Sequence, residues 1–186
     1  MKFFRFRYDI FRYSIFAPVS GYDQNLADSI KLITKDLIRP IWVPRYYNRV
    51  EPDRPIPDFV DCGHFLGFTD RVLEIPEMKA WLENAGELLP IYLNGFGQGS
   101  ILHCLKFIDA VSFTYSKGRK GTRGWHFDKL VLRPICLSAS CIFMPTESVM
   151  LLLADTMDGT SASFRHVYER EGLTGLEFIE VPVMGE

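Results

Sequence analysis

No run of about 18 apolar residues, the length a membrane-spanning helix needs, occurs in this 186-residue chain. The opening MKFFRFRYDIFRYSIFAP lacks the uninterrupted apolar core of a secretory signal, because Arg5, Arg7, Asp9 and Arg12 break it. These two absences lead to the expectation of a cytoplasmic protein with no membrane association. Excess positive charge is missing as well. The net charge is −2, which argues against a dedicated nucleic-acid binder, a class marked by a strongly basic domain. Cysteine is scarce and scattered: Cys62, Cys104, Cys136 and Cys141 include no CxxC pair. Zinc sites draw on clustered ligands, so no metal is expected. A chain of this length buries a core without disulfide staples, so four reduced, mostly buried thiols are expected.

Aromatic residues are plentiful at 14%, with 15 Phe and 8 Tyr. Rings carry large buried area and favour strands, so much of the chain is expected to be sheet. Phe4, Phe6, Tyr8 and Ile10 alternate with Arg5, Arg7 and Asp9, the period of a strand with one buried face. The apolar set then shifts to Phe11, Tyr13 and Ile15, which predicts a bulge or break near residues 10–11. Leu26, Ile30, Ile33 and Leu37 recur at helical spacing and predict a helix ending before Pro40. Residues 39–58 hold Pro40, Pro44, Pro52, Pro55 and Pro57, which predicts an extended connector without regular structure. Arg39, Arg45, Arg49 and Arg54 interleave there with Trp42, Tyr46 and Tyr47. The bland expectation is aromatics docked on the core and arginines in water. A surface of Arg, Trp and Tyr is also what protein interfaces favour, and basic residues among aromatics can grip single-stranded nucleic acid.

A pattern then repeats. FLGF and Thr69 lead into a helix that starts at about residue 74–75 with Pro76 in its first turn, stops near Gly86, and returns as LLPIYL. CIFM and Thr146 lead into a stripe of Val149, Met150, Leu153 and Met157, read as a second helix, with a third over residues 160–170 before FIEVPV. Two strand-helix-strand units imply parallel or mixed pairing, since a parallel neighbour requires a crossover. The fold class expected is α+β: mixed sheet, two approximate strand-helix-strand units, helices packed on the sheet. Residues 1–57 read as an N-terminal strand and helix region with a proline-rich connector and 58–186 as the main domain, one continuous domain being the alternative.

Three motifs were weighed for chemistry. NGFGQGS, residues 94–100, puts Gly95 and Gly97 in the first two places of a dinucleotide fingerprint, but Ser100 stands in the third and no P-loop lysine follows. The loop reads instead as a strand-to-strand connection. Cys62 and His64 would share a face of a strand, yet a Cys–His dyad is defined by spatial contact that spacing alone does not supply. SKGRKGTRG, residues 116–124, carries four basic residues and three glycines and reads as a mobile hairpin tip.

The C-terminal two thirds resembles the bacterial polymorphic-toxin immunity family numbered eleven among such families. The resemblance rests on Asp109, the LVL strand at residues 129–132, Ile142 and Phe143, and the closing G-L-x-G-L-x-F-x-x-V at Gly172, Gly175, Phe178 and Val181. It spans about residues 58–183. At positions 103 and 104, where the family often has Asn, this chain has His103 and Cys104. The resemblance implies a non-enzymatic protein that binds and neutralises a cognate toxin domain, with no cofactor. Contact would rest on aromatic and Arg anchors and on charge complementarity. The contact candidates are Trp42, Arg45 and Tyr46, with acidic helix faces supplied by Glu74, Glu77, Glu83 and Glu87 and by Asp155, Asp158, Glu169 and Glu171. Two alternatives remain from the residues themselves: a small-molecule or nucleotide enzyme using residues 94–100, and a nucleic-acid module using residues 39–54.

Overall fold

The computed structural model describes residues 1–19, 35–62, 65–121, 124–135, 137, 139–156 and 158–185. Two mixed sheets form its frame. A six-stranded sheet runs in the order β2 (Phe16–Pro18), β3 (Arg45–Arg49), β6 (Gly86–Leu93), β7 (Gly97–Cys104), β5 (Leu66–Thr69), β4 (Phe59–Asp61). A five-stranded sheet runs β13 (Leu176–Glu180), β1 (Lys2–Tyr8), β12 (Leu152–Asp155), β11 (Cys141–Pro145), β8 (Phe107–Ile108). Strands β9 (Lys117–Gly121) and β10 (Gly124–Lys129) make a separate hairpin. The α-helices among the described residues are α1 (Asp70–Leu73), α2 (Pro76–Ala85) and α3 (Phe164–Arg170). None is long and apolar enough to cross a membrane.

The expected α+β class holds, and so do two strand-helix-strand units. In the first, β5 leads through α1 and α2 to β6. Both strands are antiparallel to β7, which lies between them, so β5 and β6 run parallel with one strand inserted. In the second, β12 leads through α3 to β13, and β1 lies antiparallel between them. The second unit therefore starts at β12, not at CIFM. Residues 149–156 do not form the expected helix, and Met157 lies outside the described residues. Their apolar positions, short and continuous as LLLA, are also what a strand buried on both faces displays, and periodicity cannot separate the two. Leu152, Leu153 and Ala154 are fully buried there.

Local chemistry sets α2. Pro76 occupies the first turn, where its missing N–H costs nothing, and Gly86 follows the last residue. Met78, Trp81, Leu82 and Ala85 repeat at helical spacing and are the buried face. Thr69 stands at the start of α1 but its hydroxyl makes no cap bond. Ser163 does cap α3, accepting from the His166 amide at 3.0 Å.

Each sheet has core residues on both faces. The central core takes Phe4 and Leu153 from the five-stranded sheet and Phe68 and Leu102 from the six-stranded sheet, with both long helices. Phe164 of α3 is its hub, with ring centroids 5.7 Å from Trp81, 5.7 Å from Phe6, 6.1 Å from Phe59 and 6.0 Å from Phe178. A side chain this size, fully buried, contributes about 1.5–3 kcal/mol by transfer alone. Behind the five-stranded sheet lies a second core of Phe3, Val111, Phe127, Leu132 and Phe143. Behind the six-stranded sheet lies a third, where Ile38, Tyr47 and Trp42 cover Leu89, Ile91 and Ile101.

Asp58 bolts the units together. Its carboxylate accepts from Arg71 at 2.9 Å and from the Thr174 amide and hydroxyl at 2.9 and 2.8 Å. Gly175 follows in the same turn with φ +102°, and a Cβ there would meet the Phe59 carbonyl at 2.1 Å. Gly175 is thus required by backbone geometry.

Other expectations need correction. The break expected near residues 10–11 is present as a turn at residues 10–12 after a strand that ends at Tyr8, but Ile10 and Phe11 are exposed, Phe11 at 86%, and join no buried face. The helix expected before Pro40 falls mostly in residues 20–34, outside the described residues. The proline-rich connector contains a strand after all, because RYYNR has no proline and pairs in parallel with β6. The arginines beside it are not simply in water: Arg49 donates to the Ser14 hydroxyl at 2.9 Å and Arg54 to Glu51 at 2.6 Å. The LVL stretch is not a regular strand, since β10 ends at Lys129 and Leu132 makes only isolated bridges.

Candidate binding surface

Alternation along β3 sends Tyr47 into the third core and Tyr46 to the opposite face. The parallel register places Tyr46 beside Tyr92 of β6, and the rings stack at 4.8 Å with 21° between planes. Ala17, Asn48, Pro90 and Gln98 lie on the same face and are exposed. Further along β6, Leu88 shares that face and packs on the central core. The face that is covered at Leu88 runs out beyond the helices as an open platform, with Tyr46 61% exposed.

On the other face, residues 38–42 form a strap over the third core. Glu87 fastens it: one carboxylate oxygen accepts from the Ile38 amide at 2.8 Å and the other from the Arg39 amide at 3.1 Å. His103, fully buried and directly opposite Glu87 on β7, adds a 2.9 Å contact through Nδ1. Burial alone would raise the Glu87 carboxyl. The amide of Ile38, the imidazole of His103 and the amide of Arg39 outweigh burial and hold it below the usual carboxylate range. Trp42 donates its indole N–H to the Pro90 carbonyl at 2.9 Å, and the Arg45 guanidinium lies 5.8 Å from the Trp42 ring centre. Ile41 and Val43 project into solvent at 73% and 64% exposure. The structure thus brings Trp42 and Arg45 together and sets Tyr46 on the reverse of the same sheet.

The acidic candidates do not form one surface. Asp155 is buried on β12, not on a helix. Glu87 is on β6 and fastens the strap. Glu77 is paired with Arg170 at 2.9 Å, and Arg170 also holds Glu171 at 2.7 Å. Glu169 lies 3.9 Å from Arg165, which also meets Asp158 at 3.3 Å. Glu83 has Lys79 at 3.8 Å. Glu74 is exposed at the end of α1 and forms no ion pair among the described residues.

Residues 94–96 form the turn of the β6–β7 hairpin, with Gly95 at φ +81° and Gly97 at φ +132°. A strand follows, not a helix N-terminus, so the loop offers no dipole and no ring of free amides to a phosphate. The Asn94 side chain donates to Asn48 at 3.0 Å and steadies the turn against β3. His64 and Cys136 lie outside the described residues. Cys62, Cys104 and Cys141 are buried and free of disulfides. Burial pushes all three thiols up, Cys104 to about 11, which keeps them protonated and weakly nucleophilic at neutral pH. Asp109 and Glu147 follow the adjacent parallel strands β8 and β11. The Arg133 guanidinium holds Asp109 low, while burial and the neighbouring Asp109 push Glu147 up. Asp109 is occupied by Arg133, and the pair is a surface tie between segments.

Residues 117–121 of the basic stretch form β9, paired with β10, and Lys117, Arg119 and Lys120 there are exposed and form no ion pair among the described residues. A cleft of about 210 Å³ lies beside it. The sequence reading missed the cleft and also Tyr92. Tyr92 was visible as one polar-tipped ring in LLPIYL, but its stacking partner depends on a parallel register that no local pattern encodes. Neither the protein-family models nor the curated proteins compared with the chain match it.

Proposed function

We propose that this chain is an immunity-type protein that binds and neutralises a cognate bacterial toxin domain by protein–protein contact, without catalysis. The observation that carries the reading is the Tyr46–Tyr92 stack on an open sheet face, with Tyr46 61% exposed, while the reverse of the same sheet carries the strap, from which Ile41 projects into solvent. Tyr, Trp and Arg dominate interface hot spots because they bury large area at low entropic cost. The parallel register and the Asn94–Asn48 hydrogen bond hold β3 against β6 beneath the stacked rings, so less ordering entropy is lost on docking. Self-paired acidic helices argue for a contact led by rings and not by a negative field.

The test is co-expression with the toxin domain encoded by the neighbouring gene. Growth rescue and a complex on a sizing column are expected. Tyr46→Ala is expected to weaken the complex by about tenfold or more with an unchanged melting temperature, because Tyr46 is exposed. A failure to rescue together with no complex would overturn the reading.

A further inference from the structure

We infer that the β9–β10 hairpin and the cleft beside it form a second docking surface, one that takes an apolar side chain flanked by carboxylates from an extended segment of a protein partner. The inference is independent of what occupies the Tyr46 platform. The cleft is bounded by Phe6, Leu66, Trp125, His126, Ser148 and Met150. A cavity of about 150 Å³ accommodates benzene, so the roughly 210 Å³ here accommodates a Phe or Leu side chain. The hydroxyls at its wall are engaged already: Tyr8 donates to the Phe65 carbonyl at 2.7 Å and Ser148 to the Trp125 carbonyl at 2.8 Å. Apolar contact, not hydrogen bonding, therefore holds the occupant.

Charge chooses its flanks. Arg119 lies directly across the hairpin from His126, and Lys120 across from Trp125. Directly opposed residues share a sheet face with side chains in contact range, so each cation stands beside one cleft residue, Arg119 by His126 on one face of the hairpin and Lys120 by Trp125 on the other. The edge is open too. Among the described residues β9 pairs only with β10, while the far side of β10 is fixed to the body by the Trp125 amide donating to the Glu147 carbonyl at 2.8 Å. An extended segment can add to such an edge through main-chain bonds. Lys117, Arg119 and Lys120 repel a second copy of the same hairpin and attract carboxylates. A nucleic acid would use a free ring to stack a base. Trp125 is instead packed into the hairpin's own cluster, stacked with Phe127 at 5.9 Å and edge-on to Phe113 at 5.2 Å.

The experiment titrates the full chain, labelled with nitrogen-15, with the blocked hexapeptide Asp-Glu-Leu-Phe-Asp-Glu and with its counterpart in which every acid is lysine. The Trp125 indole and the amides of Gly118 and Ser148 report. Saturable shifts with the acidic peptide alone are expected, weakened by salt. The exposed double variant Arg119→Glu with Lys120→Glu is expected to cost about tenfold in affinity, while Tyr46→Ala leaves peptide binding unchanged. Equal binding of both peptides, no shift with either, or stronger shifts with a short single-stranded oligonucleotide would overturn the assignment. None of these outcomes bears on rescue by the neighbouring toxin, so the two readings fail separately.

Discussion

Two units of this molecule share one topology and differ in where the middle strand comes from. Between the parallel β5 and β6 lies β7, which follows β6 through the short turn at residues 94–96. Between the parallel β12 and β13 lies β1, which comes from the opposite end of the chain. The first unit closes locally, at little loop entropy. The second is complete only when residues 2–8 return across almost the whole chain, a larger entropic cost that must be met before any contact is gained. The same sheet pattern can thus be encoded locally or assembled at long range.

The hub that couples the units is the place to break the comparison hardest. Phe164→Ala leaves a cavity facing rings from both units and is expected to cost about 3–5 kcal/mol, read from the urea midpoint. Cutting the bolt comes next. Asp58→Ala orphans the Thr174 amide and hydroxyl, at about 2–3 kcal/mol because the Arg71 partner remains partly hydrated. The kinetic difference between the units is tested by a pair of core truncations: Leu102→Ala on β7 is expected to slow folding, and Phe4→Ala on β1 mainly to speed unfolding. A chevron in which Phe4→Ala carries the larger folding-limb effect reverses the proposed order.

Smaller changes sharpen the picture. Glu87→Gln is expected to cost about 1–2 kcal/mol at neutral pH. The Glu87 carboxyl is depressed in the fold, so its contribution is present above the unfolded value near 4.3 and is lost as pH falls through the folded value. The variant should flatten that acid limb. Glu147 is raised, so its contribution is full in acid and fades as pH rises through the folded value; Glu147→Gln should remove that opposite trend. Gly95→Ala is of similar size. The position has φ +81° but open space around it, so the cost is backbone strain alone, about 1–2 kcal/mol, and the hairpin register should persist by amide exchange.

Much of the first unit was legible because its determinants are local. Pro76 in the first turn and Gly86 past the last residue bracket α2, and the glycines of residues 94–100 make a hairpin turn. The closing signature was legible for a similar reason: Gly172 and Gly175 have φ +60° and +102°, and Phe178 packs against Phe164 and Tyr168. Those residues serve the fold, so a motif built on them locates the fold more directly than the docking face. The second unit differs from the expectation at residues 152–155, where a strand covered on both faces has no alternation to betray it. The acidic candidates were only partly legible: Lys79 beside Glu83 and Arg165 beside Glu169 sit at helical spacing, but the Glu77–Arg170 pair and the burial of Asp155 on a strand depend on neighbours far away in sequence.

By itself the sequence determined the amount of sheet, the limits of α2, the turn at residues 94–96 and the fold class, because alternation, proline and glycine act within a few residues. Tertiary structure alone decided that β1 completes the distant unit, that Glu87 and His103 fasten the strap, and that Tyr46 meets Tyr92 on an open face. Each of these is a pairing across tens of residues, chosen by the packing of whole sheets and invisible to any local window.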